Sequence, residues 1–376
     1  MTNPSDIRIP IAGAGRVPLI GRTRQELAEL VMSLNEPAYR GGQIHTWLYA
    51  RRAGSFEEMS SLVRELRSRL AESFTLRTLS LLDSQVSEDG TVKYLFRTHD
   101  GLNIEAVLIP SEARDDQDEP KRRTLCLSTQ VGCPLDCKFC ATATMKLKRN
   151  LTAGEIIEQF LQVEKASGLA ITNIVYMGMG EPMLNYEQVF KSIGIISDPE
   201  NGMVAASRIT VSTSGIPDAI RRMADDGERV KLALSLHALT NGMRSDLMPI
   251  NRRYDIATLM DAIEYYYRKT RQPVTYEYIL FDGWNDSDED VRRLARITRR
   301  VPSKVNVIPF HEIEFTNPVG ISAQLRATTP EKFNAFIGKL RDAGVQVMVR
   351  SSSGEDIDAA CGQLAIRHTA MGLAEV

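Results

Sequence analysis

The chain has 376 residues, of which 43% are hydrophobic and 25% charged, and its formal net charge is −2. This composition is typical of a globular protein and excludes a polycation that binds nucleic acid through its overall charge. No run approaches the ~18 apolar residues that a membrane span needs. The first residues also lack the basic and apolar regions of a signal peptide. We therefore expect a cytoplasmic protein with no membrane partner.

The first third of the chain predicts accessory structure. Residues 1–20 show no periodicity and are expected to form an irregular tail, whereas helical spacing of apolar residues predicts a small helical domain over 21–80. Strand-like runs on both sides of "HDG" predict a β-hairpin over 91–111. The charged stretch 112–123 predicts an exposed loop, so we assign 81–120 to a hairpin extension and linker.

Short β-branched runs alternate with helical stretches from residue 124 onward. The predicted strands are "TLCLSTQV", "ITNIVYMGMG", "RITVSTSG", "VKLALSLH", "VTYEYILF" and "KVNVIPF". The predicted helices include "TAGEIIEQFLQVEKA", "TLMDAIEYYYRK", "DEDVRRLARITRRV" and "TPEKFNAFIGKLRDAG". This alternation predicts an α/β fold with a parallel sheet and right-handed crossovers. We assign 121–352 to a partial (βα)6 barrel of the TIM type, and 353–376 to a C-terminal loop and tail.

Polar and glycine-rich motifs follow each predicted strand. In chain order they are "GCPLDC", "GMGEP", "STSG", "SLHA", "FDGWND" and "PFHE". In barrels built from β/α units, the carboxyl ends of the strands carry the active site. The position of these motifs therefore predicts a functional site at that end of the barrel.

Three of the five cysteines, Cys133, Cys137 and Cys140, form a C-x3-C-x2-C motif after the first barrel strand. Ferredoxin clusters use four cysteines. Three thiolates can bind a [4Fe–4S] cluster and leave one iron open to the amino and carboxylate groups of S-adenosylmethionine. Reductive cleavage of that cofactor releases a 5′-deoxyadenosyl radical. The alternative is a zinc-stabilised RNA-binding protein whose fourth ligand is Cys126 or a histidine.

The cysteine motif, Phe139 before its last cysteine and the barrel pattern resemble the radical S-adenosylmethionine superfamily. "VGCPLDCKFCAT", "MGMGEPMLN", "STSG", "SLHA", "DGWNDSDED" and "GEDIDAACGQLA" resemble the RNA adenine methyltransferases of the RlmN/Cfr group over about residues 20–370. The resemblance implies methylation of adenine C2 in 23S rRNA at the peptidyl transferase centre, and in tRNAs beside the anticodon. The C8-methylating antibiotic-resistance branch shares all five cysteines and remains an alternative. A protein-activating radical enzyme would not explain the other two cysteines.

The resemblance also assigns chemical roles. Cys361 matches the cysteine that carries the methyl group, and Cys126 matches the cysteine that resolves a protein–RNA crosslink by forming a transient disulfide. Glu105 matches the acceptor of the ring proton. Two S-adenosylmethionine molecules are expected per turnover, one as methyl donor and one as radical source.

The family positions that contact S-adenosylmethionine also have counterparts here. His311 stands where relatives typically carry asparagine, and histidine can also donate a hydrogen bond. The other expected contacts are Gly180, Glu181, Ser212, Ser235, Leu236 and His237.

Basic segments predict where RNA phosphates bind. They are "YARR" (49–52), "KRR" (121–123) and "KLKRN" (146–150), and the last follows the cysteine motif directly. "RRLARITRR" (292–300) is expected on a helix exterior. The expected partners are 23S rRNA and tRNA with one base displaced into a pocket, and a reducing protein such as flavodoxin. We expect a monomer.

Overall fold

The computed structural model of the chain describes residues 15–111, 113, 120–349 and 353–365. Most of the tail expected at 1–20 lies outside these residues. Part of the loop expected at 112–123 and the end of the C-terminal tail also lie outside them.

Helices and strands alternate over most of the described chain. The helices are α1 (Arg24–Ser33), α2 (Tyr39–His45), α3 (Arg64–Ser73), α4 (Ala153–Ser167), α5 (Tyr186–Ile196), α6 (Pro217–Asp225), α7 (Asn241–Leu247), α8 (Ile256–Thr270), α9 (Asp288–Thr298) and α10 (Pro330–Asp342). The strands are β1 (Val17–Pro18), β2 (Phe74–Thr75), β3 (Leu79–Val86), β4 (Val92–Thr98), β5 (Asn103–Pro110), β6 (Arg123–Cys126), β7 (Gln130–Val131), β8 (Arg149–Asn150), β9 (Asn173–Tyr176), β10 (Ile209–Thr213), β11 (Lys231–Ser235), β12 (Val274–Leu280), β13 (Ser303–Pro309) and β14 (Val347–Val349).

The N-terminal helices α1–α3 confirm the helical pattern predicted for that region. A capping box formed by Thr23 and Glu26 begins α1 and satisfies two exposed backbone N–H groups. A π-helical turn, Thr46–Ala50, continues α2. It places the buried Tyr49, whose hydroxyl accepts from the Gly21 N–H at 2.9 Å and donates to the Arg22 carbonyl at 2.8 Å. These bonds fix the entry of the chain into the first helix.

The helical region packs directly onto the barrel helix α4. A Cβ atom on Gly21 would lie 2.3 Å from the backbone nitrogen of Gly154, and a Cβ on Gly154 would lie 2.6 Å from the Ile20 carbonyl. Such distances are too short for any side chain. The buried carboxylate of Glu158 on α4 also accepts from the backbone and hydroxyl of Thr78. Backbone therefore touches backbone where the two parts meet.

One ten-stranded sheet forms the barrel, in the order β14-β13-β12-β11-β10-β9-β6-β5-β4-β3. Within this sheet, all neighbouring pairs in the run β6-β9-β10-β11-β12-β13-β14 are parallel, which confirms the six predicted barrel strands. The strands β14 and β3 pair on one side each, so the sheet is an open, partial barrel over the described residues. Its core is built from buried aliphatic and aromatic residues such as Val211, Leu232 and Tyr276, and the Tyr276 hydroxyl lies 3.9 Å from the sulfur of Met260 on α8.

The antiparallel end of the sheet contains the predicted hairpin and one more strand. β4 and β5 pair antiparallel and confirm the hairpin, while β3 pairs with β4 outside it. β3 is not among the predicted strands, because seven of its eight residues are exposed and give no apolar alternation. β14 was also missed, since three residues carry little pattern.

The helices predicted in the barrel are confirmed as α4, α8, α9 and α10. Between the strands lie three more, α5, α6 and α7, which the sequence prediction did not include. No helix in the described ranges has the length and apolar character to span a membrane.

Candidate active site

A cavity of about 820 Å³, continuous with solvent, lies at the carboxyl ends of the parallel strands. It brings together most of the residues that the sequence singles out. They are Cys133, Cys137, Cys140, Gly180, Glu181, Ser212, Ser235, His237 and Cys361. Apolar walls with a few convergent polar groups are typical of a cofactor pocket. The motifs that follow separate strands thus meet in one place, as parallel strands require.

The cluster loop, residues 132–148, carries the three clustered cysteines. Gly132 begins it at φ +75°, where a Cβ would lie 1.8 Å from the Lys146 carbonyl, so only glycine fits. The Lys138 N–H donates to the Leu247 carbonyl of α7 at 2.9 Å. The Phe139 ring is buried edge-on against His237, with ring centroids 4.7 Å apart. The loop is therefore packed into the barrel.

The three thiols in this loop need a cationic partner to ionise. Burial raises the pKa of Cys133 to about 12 and raises those of Cys137 and Cys140, and neighbouring thiolates raise the pKa values of Cys133 and Cys137 further. No three histidine, cysteine or acidic side chains in the described parts are grouped for a single metal ion. Thiols on the wall of one cavity, each stabilised as thiolate by iron, fit a cluster whose iron atoms keep the sulfurs apart.

Glu181 is held by the backbone on both sides. Gly180 precedes it at φ +100°, and a Cβ there would lie 2.5 Å from Gln130 Cβ. The two Glu181 oxygens accept from the N–H groups of Met183 at 3.0 Å and Ser214 at 2.8 Å. Burial nevertheless raises the pKa of Glu181, and these bonds oppose the shift. A buried carboxylate with acceptor capacity left on each oxygen can bind a cofactor ammonium.

His237 presents a hydrogen-bond donor to the cavity. Its backbone has φ +50°, and its Nδ1 accepts from the Ile279 N–H at 3.1 Å. Burial, followed by the charge of Arg244, lowers the pKa of His237 to about 3, so the ring is neutral at neutral pH. Because Nδ1 accepts, we assign the proton to Nε2, which is then a donor.

Arg244 on α7 is a structural part of the site that the sequence analysis missed. It is fully buried, and its guanidinium donates to the carbonyls of Ser214 at 2.6 Å, Ser235 at 3.2 Å and Leu236 at 3.3 Å. Burial lowers the pKa of Arg244 to about 10, while the Cys137 thiolate opposes that shift. No carboxylate in the described part of the chain pairs with it. Arg244 thus ties together the strand ends that line the cavity.

The C-terminal loop, residues 353–365, crosses the mouth of the barrel and carries Cys361. The Ala141 N–H donates to the Gly362 carbonyl at 2.7 Å, and the Thr142 hydroxyl donates to the Leu364 carbonyl at 2.6 Å. Cys361 is half-buried and lines the cavity beside the cluster loop. These two bonds set its position relative to the cluster cysteines.

A second, smaller cavity of about 450 Å³ lies behind Cys361. Cys126, at the end of β6, and His311 line it together with Cys361. All five cysteines are thiols rather than disulfides. Cys361 therefore lies between the cluster cysteines on one side and Cys126 on the other.

Comparisons with known proteins agree with this arrangement. Residues 17–76 match the model of the ribosomal RNA large subunit methyltransferase N-terminal domain, and residues 127–295 match the radical SAM superfamily. The probable dual-specificity RNA methyltransferase RlmN of Thermotoga neapolitana is 43% identical, covering 93% of this chain and 97% of that protein. The corresponding protein of Flavobacterium johnsoniae is 42% identical over 91% of this chain and 95% of its own.

A solved structure gives the same result. The crystal structure of a radical SAM methyltransferase from Sphaerobacter thermophilus superimposes with a TM-score of 0.84 at 41% identity, covering 92% of this chain and 98% of that one. The chain belongs to the RlmN family. Membership in the radical SAM superfamily implies a [4Fe–4S] cluster and S-adenosylmethionine, and the cysteines present are consistent with both. The family membership therefore favours the cluster over the zinc alternative.

Besides Cys126, three of the residues assigned from the RlmN family lie outside the cluster cavity. His311 lines the smaller cavity, with its Nδ1 3.3 Å from Glu355 Oε1. Leu236 is fully buried, and its backbone N–H donates to the Glu277 carbonyl. Glu105 is buried on β5, with Oε1 3.8 Å from Lys93 Nζ.

Lys93 connects Glu105 to the C-terminal loop. Its Nζ donates to the Ile357 carbonyl at 2.5 Å, four residues before Cys361, and a second contact reaches the Asp358 carbonyl at 3.5 Å. Glu105 thus lies beside the loop of the RlmN family's methyl-carrying cysteine, although it lines neither cavity.

The basic segments expected to bind RNA differ in how far they are engaged within the protein. Arg149 of "KLKRN" pairs with Asp100 at 2.6 Å and with Glu155 at 2.7 Å. Arg52 of "YARR" pairs with Glu164 at 2.6 Å. Lys148 and the "KRR" residues 121 and 122 are exposed. In "YARR" and "KLKRN", some of the cations that could bind an RNA phosphate are therefore already paired with carboxylates.

The segment expected on a helix exterior is confirmed as part of α9. Two of its arginines, Arg292 and Arg293, pair with Glu289 on the same helix. Its basic character is therefore partly balanced within the helix.

Proposed function

We propose that this chain methylates C2 of an adenine in 23S rRNA at the peptidyl transferase centre, and of the adenine beside the anticodon in tRNAs. The observation that supports this most directly is the position of Cys361, which lines both the cluster cavity and the cavity of Cys126. A cysteine that receives a methyl group, reacts with the base and is then resolved by a second cysteine must have access to both places.

Cys133, Cys137 and Cys140 would hold the [4Fe–4S] cluster, and Glu181 would accept from the ammonium of S-adenosylmethionine. Ser212, Ser235 and the neutral His237 offer further donors in the same cavity. When bound, the reduced cluster supplies the electron that cleaves S-adenosylmethionine to an adenosyl radical. Two S-adenosylmethionine molecules are used per turnover.

Side chains of the protein itself carry out the methyl transfer to the base, the release of the product and the proton transfer. The Cys361 sulfur takes a methyl group from one S-adenosylmethionine, which leaves as S-adenosylhomocysteine. That methyl group would lose one hydrogen atom to the adenosyl radical, and the resulting carbon radical bonds to the adenine. The Cys126 thiolate then attacks the Cys361 sulfur, so that an S–S bond forms as the S–C bond breaks. The released carbon takes up a proton to become the methyl group, and the one surplus electron returns to the reductant. Glu105 accepts the proton from the ring carbon, and its Oε1 lies 3.8 Å from Lys93 Nζ.

The partners follow from the same proposal. The RNA presents one displaced base to the cavity, and a reducing protein such as flavodoxin supplies electrons. The protein works as a cytoplasmic monomer. His311 contributes to the lining near Cys361 and Cys126.

Nucleoside mass spectrometry tests the proposal. The protein is reconstituted anaerobically with iron and sulfide, then incubated with reductant, S-adenosylmethionine and unmodified 23S rRNA fragments or tRNA. We expect 2-methyladenosine from both RNAs. 8-Methyladenosine would instead assign the chain to the antibiotic-resistance branch. Absence of either product from cluster-loaded protein would contradict the proposal.

A further inference from the structure

A third cavity occupies the end of the barrel opposite the cluster. It measures about 1430 Å³ and is lined by residues at the amino ends of the parallel strands. Four basic side chains face it. They are Arg122 before β6, Arg208 before β10, Lys231 at the start of β11 and Lys304 near the start of β13. Neither the proposed methylation chemistry nor the cofactor assignments use this cavity.

In the part of the chain that the structure describes, these four cations have no anionic partner. None of their side chains forms a hydrogen bond or an ion pair within the described ranges, whereas Arg149, by contrast, is paired with two carboxylates. Glu277 is the carboxylate among the described lining residues, and it accepts from the Asn306 amide at 2.7 Å.

The cations also repel one another. Burial lowers the pKa of Lys231, and the charges of Lys304, Arg122 and Arg208 lower it further. Four like charges that converge on one cavity, where Glu277 is the carboxylate among the described lining residues, destabilise each other until an anion binds. The free energy of this repulsion is therefore available to a negatively charged ligand.

We propose that this cavity is a second ligand site, which binds phosphate groups. Arginine offers a planar fork of donors to phosphate oxygens, and lysine offers a mobile point charge. The neutral lining residues Ser111, Asn173 and Thr210 supply further hydrogen-bonding groups. The phosphate belongs either to the backbone of the RNA substrate or to a free phosphorylated molecule.

This phosphate cavity and the cluster cavity have lining residues in common. Met177 and Glu277 line both this cavity and the cluster cavity. A ligand bound among the four cations therefore lies across one layer of side chains from the S-adenosylmethionine pocket. The inference does not depend on which adenine carbon is methylated.

Calorimetric titration with sodium pyrophosphate tests the site. The double variant Lys231→Gln/Lys304→Gln removes two facing charges from strand ends. The double variant Lys165→Gln/Lys339→Gln removes the same charge from exposed helix positions and is the matched control. We expect pyrophosphate to bind the wild-type protein and the control equally, and to bind the cavity variant at least tenfold more weakly. No binding to the wild type, or equal binding to both variants, overturns the proposal.

RNA binding then identifies the source of the phosphate. If the site holds the RNA backbone, the cavity variant weakens tRNA binding, reduces the salt dependence of log K by about one per lysine removed, and pyrophosphate competes with tRNA. If the site holds a free phosphorylated molecule, tRNA affinity stays at the control value while pyrophosphate binding is lost. Either result supports a phosphate site.

Discussion

The two loops that meet at the cavity are held in different ways. The cluster loop packs its Phe139 into the apolar core and bonds to α7 through Lys138. The C-terminal loop contributes only small or single aliphatic side chains to the core, Ala359, Ala360 and Leu364, and polar contacts from β4 and the β3–β4 turn also hold it. Lys93 bonds to the Ile357 carbonyl, and the Ser87 hydroxyl donates to Asp356 at 2.5 Å.

This difference matches the work proposed for each loop. Three cluster ligands must keep one geometry, which dense packing provides. A cysteine that alternates between two cavities needs a tether that can adjust, and hydrogen bonds to a few polar groups allow that more readily than a packed core. The loop of the proposed cluster ligands is thus packed into the barrel, whereas the loop of the proposed methyl carrier is attached to it mainly by polar contacts.

The largest expected effect separates the two loops chemically. Cys361→Ala should abolish RNA methylation while leaving the iron content and the visible absorption of the cluster at wild-type values, because the cluster ligands are on the other loop. Cys133→Ala is the counterpart and should lose both. Loss of the cluster in the Cys361 variant would show that the two loops are not independent.

The stability of the strand ends that line the cluster cavity depends on Arg244. Arg244→Met leaves the carbonyls of Ser214, Ser235 and Leu236 without their buried donor, so we expect a loss of about 3 kcal/mol in unfolding free energy. Urea unfolding of the iron-free protein measures it. Arg244→Lys keeps the charge and should recover part of the loss. Wild-type stability in the methionine variant would mean that the strand ends do not depend on this residue.

The attachment of the C-terminal loop depends on Lys93. Lys93→Met removes the bonds to Ile357 and Asp358, and a charged hydrogen bond of this kind is worth about 1.5 kcal/mol, so kcat should fall about tenfold. The KM for S-adenosylmethionine should stay constant, because the cofactor contacts lie elsewhere. Arg97→Met, at an exposed position of the same strand, is the control. An equal fall in both variants would argue against a tether.

The smallest effect is a pH dependence from His237. Its folded pKa of about 3 lies below the unfolded value of about 6.5, so the unfolded chain binds the proton first and stability falls as pH drops below 6.5. From pH 7 to 5.5 this contributes about 1 kcal/mol. His237→Gln should show a correspondingly smaller loss over that interval by urea unfolding. Identical pH profiles would refute the buried neutral histidine.

The sequence predicts the barrel and the cluster loop better than it predicts the contacts of the C-terminal loop. Six β-branched runs fix the barrel strands, and the spacing of Cys133, Cys137 and Cys140 indicates a cluster. In contrast, nothing in "SSSGEDIDAACGQ" indicates that Lys93 and Ser87, more than 260 residues earlier in the chain, hold that segment. Such contacts between distant polar residues have no periodicity for a single sequence to reveal.

Arg244 shows the other limit of prediction. A single arginine in "NGMRSDL" is usually exposed, and only the fold reveals that it is fully buried. The available signal was its position just after "SLHA", at the end of a strand whose polar residues line the site. His237 was found because it lies within that motif.

The contact between Gly21 and Gly154 has a consequence for the recognition of a large substrate. With backbone against backbone and no room for a side chain, the helical region cannot swing on the barrel without separating from it. The distance between the helical region and the pocket is therefore fixed. Under the proposed function, an RNA surface that rests on the helical region is held at one distance from the pocket, so the target base is selected by its position in the folded RNA as well as by its chemistry.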